Sequence, residues 1–376
     1  MSSKPLQAPT AAAPAGGNTE RILADYGRLV RKRTLIVAGL LLLTVLTLLF
    51  DITTGPSGLS LADTLGALTG AADTSRAVSV IVWDVRLPIA LMALVVGAAL
   101  ALAGAEMQTM LNNPLASPFT LGVSAAASLG AALAIVLGVG IPYVPQGLLI
   151  TVNAFLFSLA SILLLQFMSR GRNGRVESIV LFGIALGFTF NALTGLLQFV
   201  ASADTLQQLV FWTLGSLSRS DWQSVGILLA IVLLVLPFSL ASCWQMTALR
   251  LGEDRARSYG IDVVRLRFFS LLRVSLLAST AVAFVGTIGF VGLVGPHIAR
   301  LLVGEDHRFF LPASALTGAL VMSLASIASK MIVPGVLLPV GIVTAFVGLP
   351  VFFSLIYKQQ GLSLIHISEP TRLRRI

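Results

Sequence analysis

"LPIALMALVVGAALALAGAEM", residues 87–107, is an apolar run that contains a single charged residue, Glu106. An α-helix rises 1.5 Å per residue, so about 20 apolar residues cross a bilayer core of about 30 Å. Lipid offers backbone N–H and C=O groups no partner, so a chain crossing it must satisfy these groups within a helix. This stretch therefore predicts a transmembrane helix.

The composition extends this prediction to the whole chain. Of 376 residues, 56% are hydrophobic and 11% are charged, with a mean hydropathy of +0.93, whereas a soluble domain carries about 25% charged residues. The net charge of +9 is spread over short basic clusters between apolar runs, which argues against a nucleic-acid-binding face. The single cysteine, Cys243, excludes an internal disulfide and a cysteine-based zinc site.

Apolar runs separated by polar segments predict an all-α membrane protein with about ten transmembrane helices. The expected spans are 34–51, 84–110, 118–138, 147–168, 178–201, 223–243, 266–286, 290–304, 310–331 and 339–357. Residues 1–33 are polar, with an Ala/Pro/Gly-rich start, and are expected to form a disordered cytoplasmic tail. The membrane domain is expected to occupy residues 34–361.

The distribution of Lys and Arg predicts the orientation. Ten spans return the chain to its starting side, and the first span directly follows the basic residues 31–33. Before residue 362, the Lys and Arg residues on the opposite side are Arg76, Arg86, Arg219 and Lys330. The positive-inside rule therefore places both termini in the cytoplasm. Residues 244–265 then form the longest internal loop.

The final residues 362–376, "LSLIHISEPTRLRRI", break the pattern of the preceding chain. Residues 362–372 resemble the translated read-through of a transposon end and adapter used to prepare DNA sequencing libraries. We therefore expect these residues not to be native and the natural sequence to be lost just after Gly361. The alternative is a natural basic tail.

The internal loop concentrates charge in "RLGEDRARSYGI", residues 250–261. A short helix there would leave Leu251, Ala256 and Tyr259 available to contact a soluble partner. Charge alone leaves open the alternative of a solvated loop.

Several stretches occur in the order seen in the FecCD family of permeases: "WDVRLP", "NNPLASPFTLGVSAAASLGA", "FWTLGSLSRSDW", "LGEDRARSYGI", "GTIGFVGLVGPHIARLLVGEDHRFFLP" and "LPVGIVTAFVGLPVFF". The resemblance runs from about residue 34 to residue 361. Members of that family are the membrane subunits of bacterial type II ABC importers for iron–siderophore complexes, haem and cobalamin. The motifs are specific to the family and not to one substrate.

The resemblance implies a set of partners in the bacterial inner membrane. Two permeases, identical copies or related chains, form a path within membrane lipid; two ATPase subunits bind beneath, and an extracytoplasmic binding protein delivers the chelate. This sequence has no G-x-x-x-x-G-K-[ST] loop, the motif that cradles a triphosphate. ATP–Mg is therefore expected on the ATPase, and this chain is expected to bind no cofactor, no metal and no nucleic acid and to be no enzyme.

The resemblance also assigns a coupling segment, through which the ATPase would move the membrane helices. It falls on Leu251, Gly252, Glu253, Asp254, Ala256 and Gly260. The expected activity is import of a ferric siderophore or similar iron chelate by alternating access. Haem and cobalamin are alternative substrates, and a secondary transporter driven by an ion gradient is the rival class.

On the outer face, the resemblance assigns binding-protein docking to Arg86 and Lys330. Ile89 stands where the family has a second arginine, Ser326 where it usually has aspartate, and Leu338 where it often has glutamate. Lysine also lacks the bidentate geometry of a guanidinium. Anchoring of Arg86 and Lys330 to lipid headgroups is the alternative.

Two polar clusters lie between or within the spans. "LNNPLASP", residues 111–118, places Asn113 and Pro114 at an expected cytoplasmic gate, with an interfacial turn as the alternative. The fifth span carries polar and small residues at helical spacing, which would face the translocation path: Asn191, Thr194, Gly195, Gln198 and Ser202. Helix packing through small residues is the alternative for that face.

Three further residues invite chemical interpretations. Glu106 is a carboxylate inside an apolar run, for which a functional role competes with snorkelling or a structural helix pair. His297 and His307 lack further ligands at suitable spacing, so a structural role is favoured over a metal site.

Overall fold

The structure is a computed structural model that describes residues 16–55, 58–71, 74–170, 176–333 and 335–367. Within these ranges, all regular secondary structure is helical. The helices are α1 (Gly16–Thr53), α2 (Leu61–Thr69), α3 (Arg76–Val80), α4 (Leu87–Met110), α5 (Val123–Leu137), α6 (Gln146–Arg170), α7 (Val176–Val200), α8 (Ala203–Thr213), α9 (Trp222–Ala241), α10 (Cys243–Leu249), α11 (Glu253–Ser258), α12 (Val263–Val285), α13 (Val291–Val303), α14 (His307–Met331) and α15 (Val340–Ile367). A π-helical turn, Ile81–Arg86, joins α3 to α4, and a 3-10 turn, Pro118–Leu121, precedes α5.

The helices account for the predicted spans. Seven helical segments of the described chain are long and apolar enough to cross a membrane, and three shorter apolar helices lie at Val123–Leu137, Val291–Val303 and Val340–Phe353. The prediction of an all-α membrane protein with about ten spans is therefore confirmed.

Helix α4, which contains the apolar run of residues 87–107, lies at the centre of the bundle. It packs against α1, α9, α12, α13 and α14, and because its apolar residues cover all sides, nearly all of it is buried. A Cβ atom added at Gly97 would lie 2.3 Å from the Gly318 carbonyl oxygen, and one at Gly104 would lie 1.8 Å from that of Gly292. Glycine is thus required where the backbones of α13 and α14 meet α4.

Other helices lie at the periphery. Helices α1, α7 and α9 are mostly exposed along their apolar windows, and large side chains such as Leu42, Phe199 and Leu233 point away from the bundle. Apolar surfaces of this extent are suited to lipid or to another subunit.

The structure corrects part of the expected N-terminal tail. Helix α1 begins at Gly16 and continues without interruption to Thr53, so residues 16–33 are helical and not disordered. Extending an existing helix costs little, because each added residue gains a backbone hydrogen bond. Tyr26 accepts a hydrogen bond from Arg308 at 3.0 Å, which ties this extension to the start of α14. Residues 1–15 lie outside the described residues.

At the other end of the chain, α15 continues to Ile367. The adapter-like stretch therefore begins within this helix, and residues 368–376 lie outside the described part of the chain. Its non-native origin stays a prediction.

Candidate functional site

Two short helices, α10 and α11, lie at one end of the bundle between α9 and α12; we call this the inner end and the opposite end the outer end. Gly252 (φ +110°) and Gly260 (φ +79°) bound α11, with backbone angles that residues with side chains rarely adopt. Ala256 is fully buried, whereas Leu251 and Tyr259 are more than half exposed. The short helix expected from the sequence is therefore present, and the exposed side chains of Leu251 and Tyr259 flank it.

Glu253 connects α11 to α12. Its carboxylate accepts a hydrogen bond from the guanidinium of Arg267, which is buried on α12, and lies 3.5 Å from Nη2 of Arg257. Asp254, by contrast, is exposed. A displacement of α11 would thus reach α12 through a charged contact as well as through the backbone.

A second charged network joins neighbouring elements at the inner end. Nη2 of Arg250 lies 2.5 Å from Oε1 of Glu305, and Nη1 donates to Oδ1 of Asn112 at 2.8 Å. Arg300 lies 3.2 Å from the same carboxylate and donates to Oε1 of Gln108 at 2.8 Å. Burial alone would raise the pKa of Glu305, but the hydrogen bond and charge of Arg250, with the charge of Arg300, hold that pKa below its ordinary value of 4.5.

The expected gate residues form the turn that follows α4. Oδ1 of Asn113 accepts the backbone N–H of Leu115 at 2.9 Å, so the side chain closes the turn around Pro114. Asn112 has a positive φ of 45° and, as described, accepts from Arg250. The turn therefore lies at the inner end as expected, and its role as a gate stays a prediction.

Glu106 forms a buried ion pair that joins α4 to α12. Nε of Arg273 lies 3.0 Å from both carboxylate oxygens, and Nη2 lies 2.8 Å from Oε2. Ser239 on α9 also donates to this carboxylate, and Ser270 accepts from the guanidinium. The geometry favours the structural helix pair over the functional carboxylate. Sequence reasoning missed Arg273, although an arginine in an apolar span indicates a buried partner.

His307 and Cys243 also occupy structural positions. Nε2 of His307 lies 2.8 Å from the Thr109 hydroxyl and Nδ1 lies 3.1 Å from the Thr247 hydroxyl, which links α14 to α4 and α10. The buried Cys243 thiol donates to the His307 carbonyl oxygen at 3.3 Å, which joins α10 to the start of α14. Among the residues that the structure describes, no three His, Cys, Asp or Glu side chains converge as metal ligands.

The residues of the predicted polar face of α7 differ in exposure and in position. Asn191 and Gly195 are exposed, and Gln198 is partly exposed one turn further on. Thr194 is buried and donates to the Phe190 carbonyl oxygen at 2.8 Å. Ser202 lies beyond the end of α7 and caps α8. The five residues therefore do not share one surface, because Thr194 satisfies its hydroxyl within the helix and Ser202 begins the next one.

The structure places both expected docking residues inside the bundle, and their docking role stays a prediction. Arg86 and Lys330 are buried, with 4% and 7% of their surfaces exposed. Nζ of Lys330 donates to Oδ1 of Asp51 at 2.7 Å, and Nη1 of Arg86 donates to the carbonyl oxygens of Ile52 and Thr53 at 3.1 and 2.9 Å. Both cations hold the C-terminal end of α1, where unpaired carbonyl groups and the helix dipole attract positive charge. Neither presents its charge on the outer surface.

The departures from the family pattern fit this arrangement. Ser326 donates to Oδ1 of Asp51 at 3.1 Å, so an aspartate from α1 supplies a carboxylate beside the position that is usually aspartate in the family. Ile89 is buried among the apolar residues around α4. The outer end thus has an internal ion pair in which both partners come from this chain.

Comparison with known proteins agrees with this architecture. Residues 42–358 match the FecCD transport family. The Fe(3+) dicitrate permease FecD of Escherichia coli is 39% identical over 280 residues, covering 74% of this chain and 86% of its own. The vitamin B12 import permease BtuC of Citrobacter koseri is 38% identical over 283 residues, covering 74% of this chain and 83% of its own.

A solved structure is also similar to this chain. An inward-facing metal-chelate type ABC transporter superposes with a TM-score of 0.75 at 31% identity, over 86% of this chain and 99% of that one. Permeases of this type work with ATPase and permease partners, and the separate ATPase hydrolyses ATP. The chain therefore belongs to the FecCD transport family and is a multi-span membrane permease of an ABC importer.

Proposed function

We propose that this permease carries a ferric siderophore or a similar iron chelate into the bacterial cytoplasm by alternating access. Two ATPase subunits would bind the inner end, and an extracytoplasmic binding protein would deliver the chelate at the outer end. The second permease would be another copy or a related chain. In this orientation both termini and α11 lie in the cytoplasm, as the positive-inside rule predicts.

The observation that carries the coupling mechanism is the two-sided construction of α11. Leu251, Asp254 and Tyr259 form an exposed surface for the ATPase. The opposite side is attached to the bundle by buried Ala256 and by the contact of Glu253 with Arg267. An ATPase that moves this surface would therefore move the inner end of α12, which supports rocking of the helices during alternating access.

Helix α7 supports a path between two permeases. Asn191 and Gly195 are exposed beside the large apolar residues Phe188 and Phe199. Polar groups in a membrane helix normally face protein or water and not lipid. We assign Asn191, Gly195 and Gln198 to the path, bordered by apolar surface that the second permease covers.

The geometry of Glu106 disfavours a secondary transporter. Such a transporter needs a carboxylate that gains and loses a proton during each cycle, and Glu106 is held by the guanidinium of Arg273. Arginine stays protonated in proteins, and its guanidinium contacts both oxygens of the carboxylate that a proton relay would have to use. The ion-pair position suits a fixed helix contact better than a proton relay.

Coupling is tested by co-purification of the ATPase with a double variant, Leu251→Ser and Tyr259→Ser. We expect at least a tenfold loss of bound ATPase with normal membrane insertion, since these changes remove apolar contact area without altering the buried side of α11. The matched control is Val139→Ser with Tyr143→Ser, two exposed residues in the loop between α5 and α6, which should bind ATPase normally. Undiminished ATPase binding by the α11 variant contradicts this assignment.

The substrate is proposed from relatives that are named for Fe(3+) dicitrate and for metal chelates, while the vitamin B12 permease keeps cobalamin as the alternative. The test is the ATPase rate of the complete importer in proteoliposomes with its binding protein. A ferric siderophore should stimulate the rate more than haem or cobalamin. Stimulation by cobalamin alone would reassign the substrate within the family.

A further inference from the structure

An open groove of about 830 Å³ lies between α9, α10 and α12 on the outside of the bundle. Leu234 and Phe238 of α9 line one wall, and Phe269, Leu272 and Leu276 of α12 line the other. Along α12 from Arg265, the groove rises about 16 Å to Leu276 at 1.5 Å per residue, close to half of a bilayer core of about 30 Å. Its depth therefore matches one leaflet.

The mouth of the groove is aromatic. Trp244 and Tyr259 both line it and are more than half exposed, with ring centroids 6.4 Å apart. Trp and Tyr are enriched at the headgroup level, where one side of the ring contacts lipid and its polar edge contacts water. This pair therefore marks the membrane–water boundary at the inner end.

Arg265 supplies a positive charge at the same level. It is exposed, and its guanidinium lies 6.0 Å from the ring centre of Phe269. Within the described ranges, no carboxylate lies within ion-pair distance of it; the nearby Asp262 side chain caps α12 by accepting the Arg265 backbone N–H at 2.9 Å. Arg273, the other arginine of the groove, is paired with Glu106. Arg265 is thus the cation at the mouth that is available to an anion.

We propose that this groove binds an anionic phospholipid, with an acyl chain between α9 and α12 and the phosphate against Arg265. A guanidinium matches phosphate oxygens in a bidentate geometry, and basic pockets between membrane helices bind anionic headgroups. In the orientation given under Proposed function, the lipid comes from the cytoplasmic leaflet. Because Tyr259 and Gly260 line the groove directly after α11, the bound lipid braces the coupling segment.

The test uses native mass spectrometry of the full chain, purified in detergent without ATPase. The probes are palmitoyl-oleoyl phosphatidylglycerol, the corresponding phosphatidylcholine and soluble glycerol 3-phosphate. We expect one retained phosphatidylglycerol and about a fivefold weaker retention in Arg265→Gln, the effect of one arginine beside anionic lipid. Arg255→Gln, at an exposed arginine of α11 that is not part of the groove lining, should bind like the wild type.

A second pair of variants tests the apolar part of the groove. Ala241→Trp fills the groove, whereas Ala230→Trp adds the same side chain to an exposed position of α9 outside the lining. The first should reduce phosphatidylglycerol retention and the second should not. The proposal is overturned if phosphatidylcholine is retained as well as phosphatidylglycerol, or if Arg255→Gln loses as much phosphatidylglycerol as Arg265→Gln. It is also overturned if glycerol 3-phosphate displaces the bound phosphatidylglycerol. Because ATPase is absent, failure of the coupling mechanism leaves this result unaffected.

Discussion

Removing the charge of Glu106 should strongly destabilise the bundle. In Glu106→Gln the side-chain volume is nearly unchanged, so the effect reports charge and not packing. Arg273 loses a carboxylate that it contacts at 3.0, 3.0 and 2.8 Å, in a site where Glu106 is fully buried. Breaking one side of a buried pair leaves an uncompensated charge and costs about 3–5 kcal/mol.

The assay is thermal unfolding in detergent, followed by the fraction of monodisperse protein after heating. At about 2 °C per kcal/mol, the lower end for large domains, Glu106→Gln should lower the midpoint by about 6–10 °C. Glu177→Gln, which neutralises an exposed carboxylate near the start of α7, should change it little.

The double variant Glu106→Leu with Arg273→Leu tests whether the single variant loses stability because Arg273 is left as an unpaired buried charge. It removes both charges together, so most of the stability should return, since replacing a buried pair by apolar residues is often neutral. An unchanged midpoint for Glu106→Gln, or a double variant as unstable as the single one, would show that the Glu106–Arg273 pair does not set the stability of the bundle.

Further predictions concern the outer pair, the inner network and the central helix. Lys330→Met leaves Asp51 buried without its cation, so the unfolding midpoint should fall, and adding Asp51→Asn should restore most of it; no rescue contradicts the pairing. The pKa of Glu305 in the folded protein lies below 4.5, its ordinary value. The stability that the Glu305 carboxylate contributes is therefore complete above pH 4.5 and is lost as the pH falls through the pKa of the folded state. The difference in unfolding midpoint between wild type and Glu305→Gln should persist at neutral pH and shrink in acid. Gly104→Val should abolish the yield of folded protein, because its Cβ would lie 1.8 Å from the Gly292 carbonyl oxygen. Gly195→Val should be tolerated, because a Cβ there meets no atom of another element within 4 Å.

Much of the fold follows from the sequence because membrane spans are long apolar runs of nearly fixed length. The same criterion missed the N-terminal extension of α1, since residues 16–33 form a helix without being apolar. It also did not identify α8 and α10 as separate helices, because both lie mostly in segments expected to be loops. The breaks depend on local caps such as Ser202, which are weak signals beside an apolar run.

The candidate site was predictable only in part. The charged stretch of residues 250–261 suggested a short helix with a solvated loop as the alternative, and the helix is present. The sequence allowed a helix pair at Glu106 but did not identify the partners in the buried ion pairs, because Glu106 and Arg273 lie 167 residues apart and Asp51 and Lys330 lie 279 residues apart. Without these partners, Lys330 and Arg86 resemble surface cations in the sequence, whereas the structure buries both.

We expect this permease to move its substrate only when a separate ATPase supplies the work. The most direct test measures uptake of a ferric siderophore into proteoliposomes that contain the permease, with its binding protein outside and ATP inside. Accumulation above the external concentration should require the ATPase and hydrolysable ATP and should persist when an uncoupler removes ion gradients. Uphill accumulation by the permease without ATPase, abolished by the uncoupler, would instead identify a secondary transporter.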